Sequence, residues 1–127
     1  MLYTHAQQDS TTFRGYLYND EYKVFLKINF YKKNVKVPGQ DIYGDLPGYF
    51  GARRDNRLWL ITDADMTDGQ TAELSIINDF GSEDLTATLR KDKEDNYILT
   101  QKSGSRIKIV VNRKWLKLPK EMKFLKR

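Results

Sequence analysis

From Glu21 the chain reads EYKVFLKINF, which places Tyr22, Val24, Leu26, Ile28 and Phe30 on one face and, Phe25 aside, mostly polar residues on the other. Successive side chains of a strand point to opposite faces, so this period predicts a strand with one buried side. The same alternation recurs in AELSIIND, where Ala72, Leu74 and Ile76 interleave with Glu73 and Ser75. It recurs again in LTATLRK, where Leu85, Ala87 and Leu89 interleave with Thr86, Thr88 and Arg90. Tyr97 to Lys102 and Arg106 to Asn112 are rich in β-branched residues, with Ile107, Ile109 and Val111 on a shared face, and they extend the pattern.

Short polar breaks separate these runs at Asn19-Asp20, 32–34, Phe80-Gly81-Ser82, 91–96 and Ser103-Gly104-Ser105. Such breaks carry hairpin chemistry, and short turns make neighbouring strands antiparallel. The pattern therefore predicts an all-β fold, a single antiparallel meander of about eight or more strands forming a small barrel, with a sandwich as the alternative. Closure is favoured because it removes the edges that an open sheet exposes. An architecture of this kind resembles that of lipocalin-like binding proteins. The Gly-x-Trp signature of that family's first strand is not met, since Gly15-Tyr16-Leu17 has leucine where tryptophan is expected, and no family is assigned.

Between the first strands and the later ones, Pro38-Gly39, Gly44, Pro47-Gly48 and Gly51 place a breaker at nearly every fourth residue. That density predicts no regular strand there. Asp41 to Gly48 is expected to loop across one end of the barrel, Gly48 and Gly51 to let the next strand bend or bulge, and Tyr49 and Phe50 to plug the core. The overlapping stretch from Tyr43 to Trp59 is also the main candidate for recognition. Tyr43, Tyr49, Phe50 and Trp59, with Arg53, Arg54 and Arg57, combine flat apolar surface with planar cations, as sites for carbohydrates, anions, bases and protein partners commonly do.

At 127 residues the chain is one domain long. Residues 1–11 read as a flexible N-terminal segment and 12–127 as a single β domain. Its last part, 113–127, holds seven basic groups and one acid, a net of +6 against +5 for the whole chain, so residues 1–112 net −1. Pro119, with Leu118, Met122 and Leu125 spaced i, i+4, i+7, predicts a short C-terminal helix, and a closing strand up to Leu118 is the alternative. Lys114, Trp115, Lys117, Lys120 and Lys123 form a candidate basic surface for an acidic partner. Nucleic acid is disfavoured, because the rest of the chain does not share the basic character.

Cysteine is absent and His5 is the sole histidine, which removes thiolate chemistry, zinc ribbons and histidine-based triads. No Gly-rich nucleotide loop occurs. The clusters Asp63-Ala-Asp65-Met-Thr-Asp68 and Asn78-Asp79-Phe-Gly-Ser-Glu83-Asp84 read as turn-forming rather than calcium-binding. No metal or cofactor is expected. An acid-based enzyme using Asp41, Asp45 or Glu83 has no motif behind it. The function expected from these residues is a non-enzymatic binding module that recognises a small ligand or a protein partner through Tyr43 to Trp59. The alternative is an inhibitor or immunity-type protein that docks on an acidic enzyme surface. Thr4-His5-Ala6 matches the small-x-small end of a cleaved export signal without the upstream regions, so extracytoplasmic and cytoplasmic locations both stay open.

Overall fold

The structure, a computed structural model, describes residues 10–127; Thr4, His5 and Ala6 lie outside them. The strands are β1 (Arg14–Asn19), β2 (Val24–Asn29), β3 (Gly48–Ala52), β4 (Trp59–Met66), β5 (Thr71–Asn78), β6 (Asp84–Lys91), β7 (Asn96–Gly104), β8 (Lys108–Val111), β9 (Lys114–Lys117) and β10 (Glu121–Lys126). Eight of them close into an antiparallel barrel in the order β1-β10-β7-β6-β5-β4-β3-β2, while β8 and β9 form a separate hairpin. The expected meander is therefore a barrel, not a sandwich. Among the described residues there is no helix, and so none long and apolar enough to cross a membrane.

The period-two pattern sets the inside of the wall. Val24, Leu26 and Ile28 of β2, Ala72, Leu74 and Ile76 of β5, and Leu85, Ala87 and Leu89 of β6 all point inward and are buried. Phe50, Trp59, Tyr97, Leu99 and Phe124 join them in one packed cluster, as a filled eight-stranded barrel requires. At one end Phe13 stacks on Phe30 at 5.4 Å, and the buried Tyr97 hydroxyl donates to Thr12 O at 2.6 Å. At the other end the β8–β9 hairpin folds over the rim and buries Ile107, Ile109 and Leu118.

Three expectations are corrected. The C-terminus holds no helix: β10 is a strand, with Met122 and Phe124 buried and Leu125 exposed, and it closes the barrel against β1 and β7. The breaker-rich stretch does contain a regular strand, β3. Its glycines are there for close approach rather than for bending. A Cβ at Gly48 would lie 2.5 Å from Lys27 O, and one at Gly51 would lie 2.5 Å from the Phe25 ring. Register shifts fall instead in β4, between Ile61 and Asp63, and in the β6–β7 pairing, between Thr86 and Ala87. Finally, the segment before β3 does not cross a barrel end. Val35 and Leu46 exchange backbone hydrogen bonds of 2.9 and 3.0 Å, and the resulting strap lies along the outer wall.

Under the strap, Val35, Val37 and Leu46 pack with Tyr49 and Leu60 in a second apolar cluster. Tyr49 and Phe50 are thus parted by the strand period: Phe50 faces the interior and Tyr49 the strap. Burial pushes the Tyr49 phenol above the ordinary tyrosine value, with a smaller contribution from Tyr16. A phenol that ionises later when folded gives stability that is whole below about pH 10 and is lost as pH rises through the raised value. An alkaline titration followed by phenolate absorbance should show a late-titrating component that shrinks in Tyr49→Phe. An unchanged titration in that variant would contradict this assignment.

Candidate functional site

The strands of an up-and-down barrel bring alternate turns to the same end. The β3–β4 loop (53–58), the β5–β6 turn (79–83) and the β8–β9 hairpin therefore share one rim. Exposed large apolar side chains collect on these elements and on the strap tip: Ile42, Tyr43, Phe80, Trp115 and Leu116. Phe80 is 80% exposed and Trp115 57%, which is unusual for aromatics this size, and contiguous apolar exposure of this kind marks interaction surfaces. Between them lies a cleft of about 270 Å³. Trp59 and Leu58 line its apolar part, Phe80 and Trp115 its apolar rim, and Arg57, Asp79, Glu83 and Lys108 its charged part.

Each wall has a local cause. Asn78 organises the β5–β6 turn: its Oδ1 accepts from Ser82 N (2.8 Å) and Glu83 N (3.1 Å), and its Nδ2 donates to Ser82 Oγ (3.0 Å). That side chain makes the turn, and Phe80, at its tip, is left facing solvent. Gly81 follows with φ +73°, and a Cβ there would stand 3.3 Å from the Tyr43 hydroxyl. The strap tip therefore reaches this turn. Gln40 holds the tip, accepting from Tyr43 N (3.1 Å) and donating to Gly44 O (3.3 Å).

The hairpin is fastened from two sides. Asp55, buried on the β3–β4 loop, accepts from Val110 N at 3.0 Å, from Arg57 N at 3.3 Å and from Arg57 Nη1 at 3.0 Å. Gln101, almost fully buried, accepts from Ile107 N at 2.7 Å and donates to Pro119 O at 3.0 Å, gripping both ends of the hairpin. Two cations then frame the Trp115 ring. Arg57 lies 5.0 Å and Lys108 5.1 Å from its centroid, within range of cation–π attraction. Both cations also have acidic partners, Asp55 at 3.0 Å and Glu83 at 3.2 Å. The cleft is thus aromatic in surface and close to balanced in charge, a combination that favours a partner with both apolar and polar groups over a simple anion.

The structure brings Trp59 and Trp115, from two separate parts of the sequence, to this one cleft, while Tyr43 reaches the β5–β6 turn near Gly81. Arg57 lines the cleft as well, whereas the remaining expected residues lie elsewhere. Phe50 is inside the barrel and Tyr49 beneath the strap. Arg54 is exposed on the β3–β4 loop, and Arg53 caps the Tyr18 ring at 5.7 Å, as Arg127 does at 4.3 Å. Lys114, Lys117 and Lys120 are exposed on β9 and just after it. Lys123 lines a different groove, at the β1–β10 seam. That groove is larger, about 510 Å³, but Asn19 in it is already committed, donating to Lys123 O and accepting from Tyr22 N.

Phe80, Asn78, Asp79 and Lys108 were not legible as site residues from spacing. One signal existed: an aromatic in a Phe-Gly-Ser turn has no strand face on which to bury itself. Among the described residues no group of three or more acids and histidines is gathered as metal ligands. No family model, curated protein or solved structure matches the chain.

Proposed function

We propose that the protein is a non-catalytic binding module that engages a protein partner through the aromatic cleft at the hairpin end of the barrel. One observation carries this reading. Phe80 and Trp115 stand largely exposed around a cleft on a barrel whose interior is packed with side chains. A lipocalin-like mode, with ligand inside the barrel, would need the space that Phe50, Trp59 and Phe124 occupy. Aromatic anchors beside arginine, rimmed by polar groups, are the composition of interface hot spots. The inhibitor-type alternative draws support from Lys114, Lys117 and Lys120, exposed on β9 and just after it, which suit an acidic docking surface.

A photo-crosslinking side chain placed at Phe80 or Trp115, in the cells that make the protein, should trap a discrete partner. One placed at Glu73, on the outer wall of β5, should not. With that partner in hand, the Phe80→Ala, Trp115→Ala double variant should bind at least about 30-fold more weakly, roughly 2 kcal/mol. Its melting temperature should change little, because both side chains are exposed. Crosslinks equal in yield at all three positions, or full affinity in the double variant, would remove the cleft as the binding site.

A further inference from the structure

The β8–β9 hairpin has one sealed edge and one open edge. Asn112 and Arg113 turn it with φ 53° and 67°, the positive pair that a two-residue type I′ turn needs. Leu118 N–H donates to Ile107 O at 2.9 Å. Hydrogen-bonded and non-bonded pairs alternate along an antiparallel ladder. With Ile109 opposite Leu116 and Val111 opposite Lys114, those pairs also carry the ladder bonds. The backbone groups of Val110, Trp115 and Lys117 consequently point out of the two edges. On the β8 side Val110 N–H is taken by Asp55. On the β9 side, Trp115 and Lys117 direct their N–H and C=O groups away from β8, on a strand that among the described residues borders β8 alone and whose four residues are all exposed.

An open edge is a template for another strand, and the side chains here choose which. Lys114 and Leu116 lie on one face of β9, Trp115 and Lys117 on the other. Arg113 and Lys120 are exposed at its two ends. A second copy pairing edge to edge would set these lysines against each other, since like charges across a strand pair are unfavourable. An acidic strand reverses the sign of that term. We propose that β9 is an edge-pairing site for an extended acidic segment of a protein partner, which adds a third strand to the hairpin. The order Lys114, Trp115, Leu116, Lys117 is matched by acid, apolar, apolar, acid, each across from its complement. This rests on reading the hairpin end as the recognition surface, and it gives the partner's chemistry.

The test uses the full chain and a capped peptide, Ser-Thr-Glu-Val-Val-Glu-Thr-Ser, whose central motif reads the same in either direction. Its counterpart with lysine at both glutamate positions is the control. In an amide-resolved titration the glutamate peptide should slow hydrogen exchange and shift resonances most at Trp115 and Lys117, and the lysine peptide should do neither. Lys117→Pro deletes a donor that β8 does not use, and edge strands tolerate proline. That variant should melt like the parent and bind the glutamate peptide at least tenfold more weakly.

Equal response to both peptides, no response at the highest soluble concentration, or full binding by Lys117→Pro would each overturn edge pairing. Protection of the same amides that tracks self-association in sedimentation would overturn it in favour of a second copy. Failure here together with specific crosslinking at Phe80 and Trp115 leaves the cleft reading intact. Failure of both removes the hairpin end as a recognition surface.

Discussion

Replacing Asp55 with alanine should lower the unfolding free energy by about 2–4 kcal/mol and loosen the β8–β9 hairpin before the barrel itself opens. The carboxylate is the acceptor for Val110 N–H, Arg57 N–H and the Arg57 guanidinium, and its side chain is only 3% exposed. Hydrogen bonds to a charged acceptor contribute roughly 1.5–3 kcal/mol, and a buried donor left without one costs about 1–3 kcal/mol. The Arg57 side chain is 43% exposed, so water recovers most of what its ion pair loses, and the cost falls chiefly on the two amides. Asp55→Asn keeps one acceptor oxygen and should cost about half as much. Native-state hydrogen exchange distinguishes a local role from a global one: the Val110 amide should lose more protection than Leu26 or Leu89 in the wall. Equal loss at all three would mean that Asp55 stabilises the barrel and not the hairpin's seat. An unchanged melting temperature would mean that it does neither.

The consequence for binding follows from the same contacts. Asp55 holds Arg57, and Arg57 lies over Trp115. If the cleft is the binding site, the loosened variant should lose affinity although Asp55 is not among the cleft's lining residues.

How much of this could be read from the chain depends on the reach of each interaction. β2, β5 and β6 were plain because one face of each meets the core and the other meets water, so the period of the strand is written in the residue types. β3 was hidden because Gly48 and Gly51 look like turn residues. They are required instead by side chains and carbonyls of β2, twenty-odd positions earlier in the chain. The C-terminus misled for a related reason. Leu118, Met122 and Leu125 fit a helical spacing, but Leu118 belongs to the hairpin, and β10 buries Met122 and Phe124 while Leu125 faces out. Pro119 separates two strands instead of opening a helix.

The cleft was legible only in pieces. Tyr43, Trp59 and Trp115 each stood out by type, but their convergence depends on the strap lying along the wall and on the hairpin folding back over the rim. Both are set by contacts between distant residues, Val35 with Leu46 and Asp55 with Val110. Tyr49 looked like a recognition residue for the same reason that Trp115 did, and only the strap that covers it tells the two apart.

The largest loss from a single added methyl group should come at Gly104, the last residue of β7, where the chain leaves the wall to form the hairpin. Its φ is +93°, and a Cβ there would stand 2.5 Å from Asp84 O and 2.9 Å from Leu85 Cα. Both atoms are backbone, held by the β6–β7 pairing and by the Ser105 N–H bond to Asp84 O at 2.8 Å, so neither gives way as a side chain would. A left-handed conformation costs a non-glycine residue about 1–2 kcal/mol and overpacking about 1–3 kcal/mol, which puts Gly104→Ala at roughly 2–5 kcal/mol in urea unfolding. Gly51→Ala is the informative comparison. Its added methyl meets the Phe25 ring, which can turn aside on the outer wall, so its cost should be smaller. Gly69→Ala, with open space and no positive φ, should be neutral or gain a few tenths of a kcal/mol from a less flexible unfolded chain. A Gly104→Ala variant no less stable than Gly69→Ala would show that the β7 end can relax. Among the hairpin's polar fastenings to the barrel, Asp55 and Gln101 would then carry more of the load, and the loss predicted for Asp55→Ala should move to the top of its range.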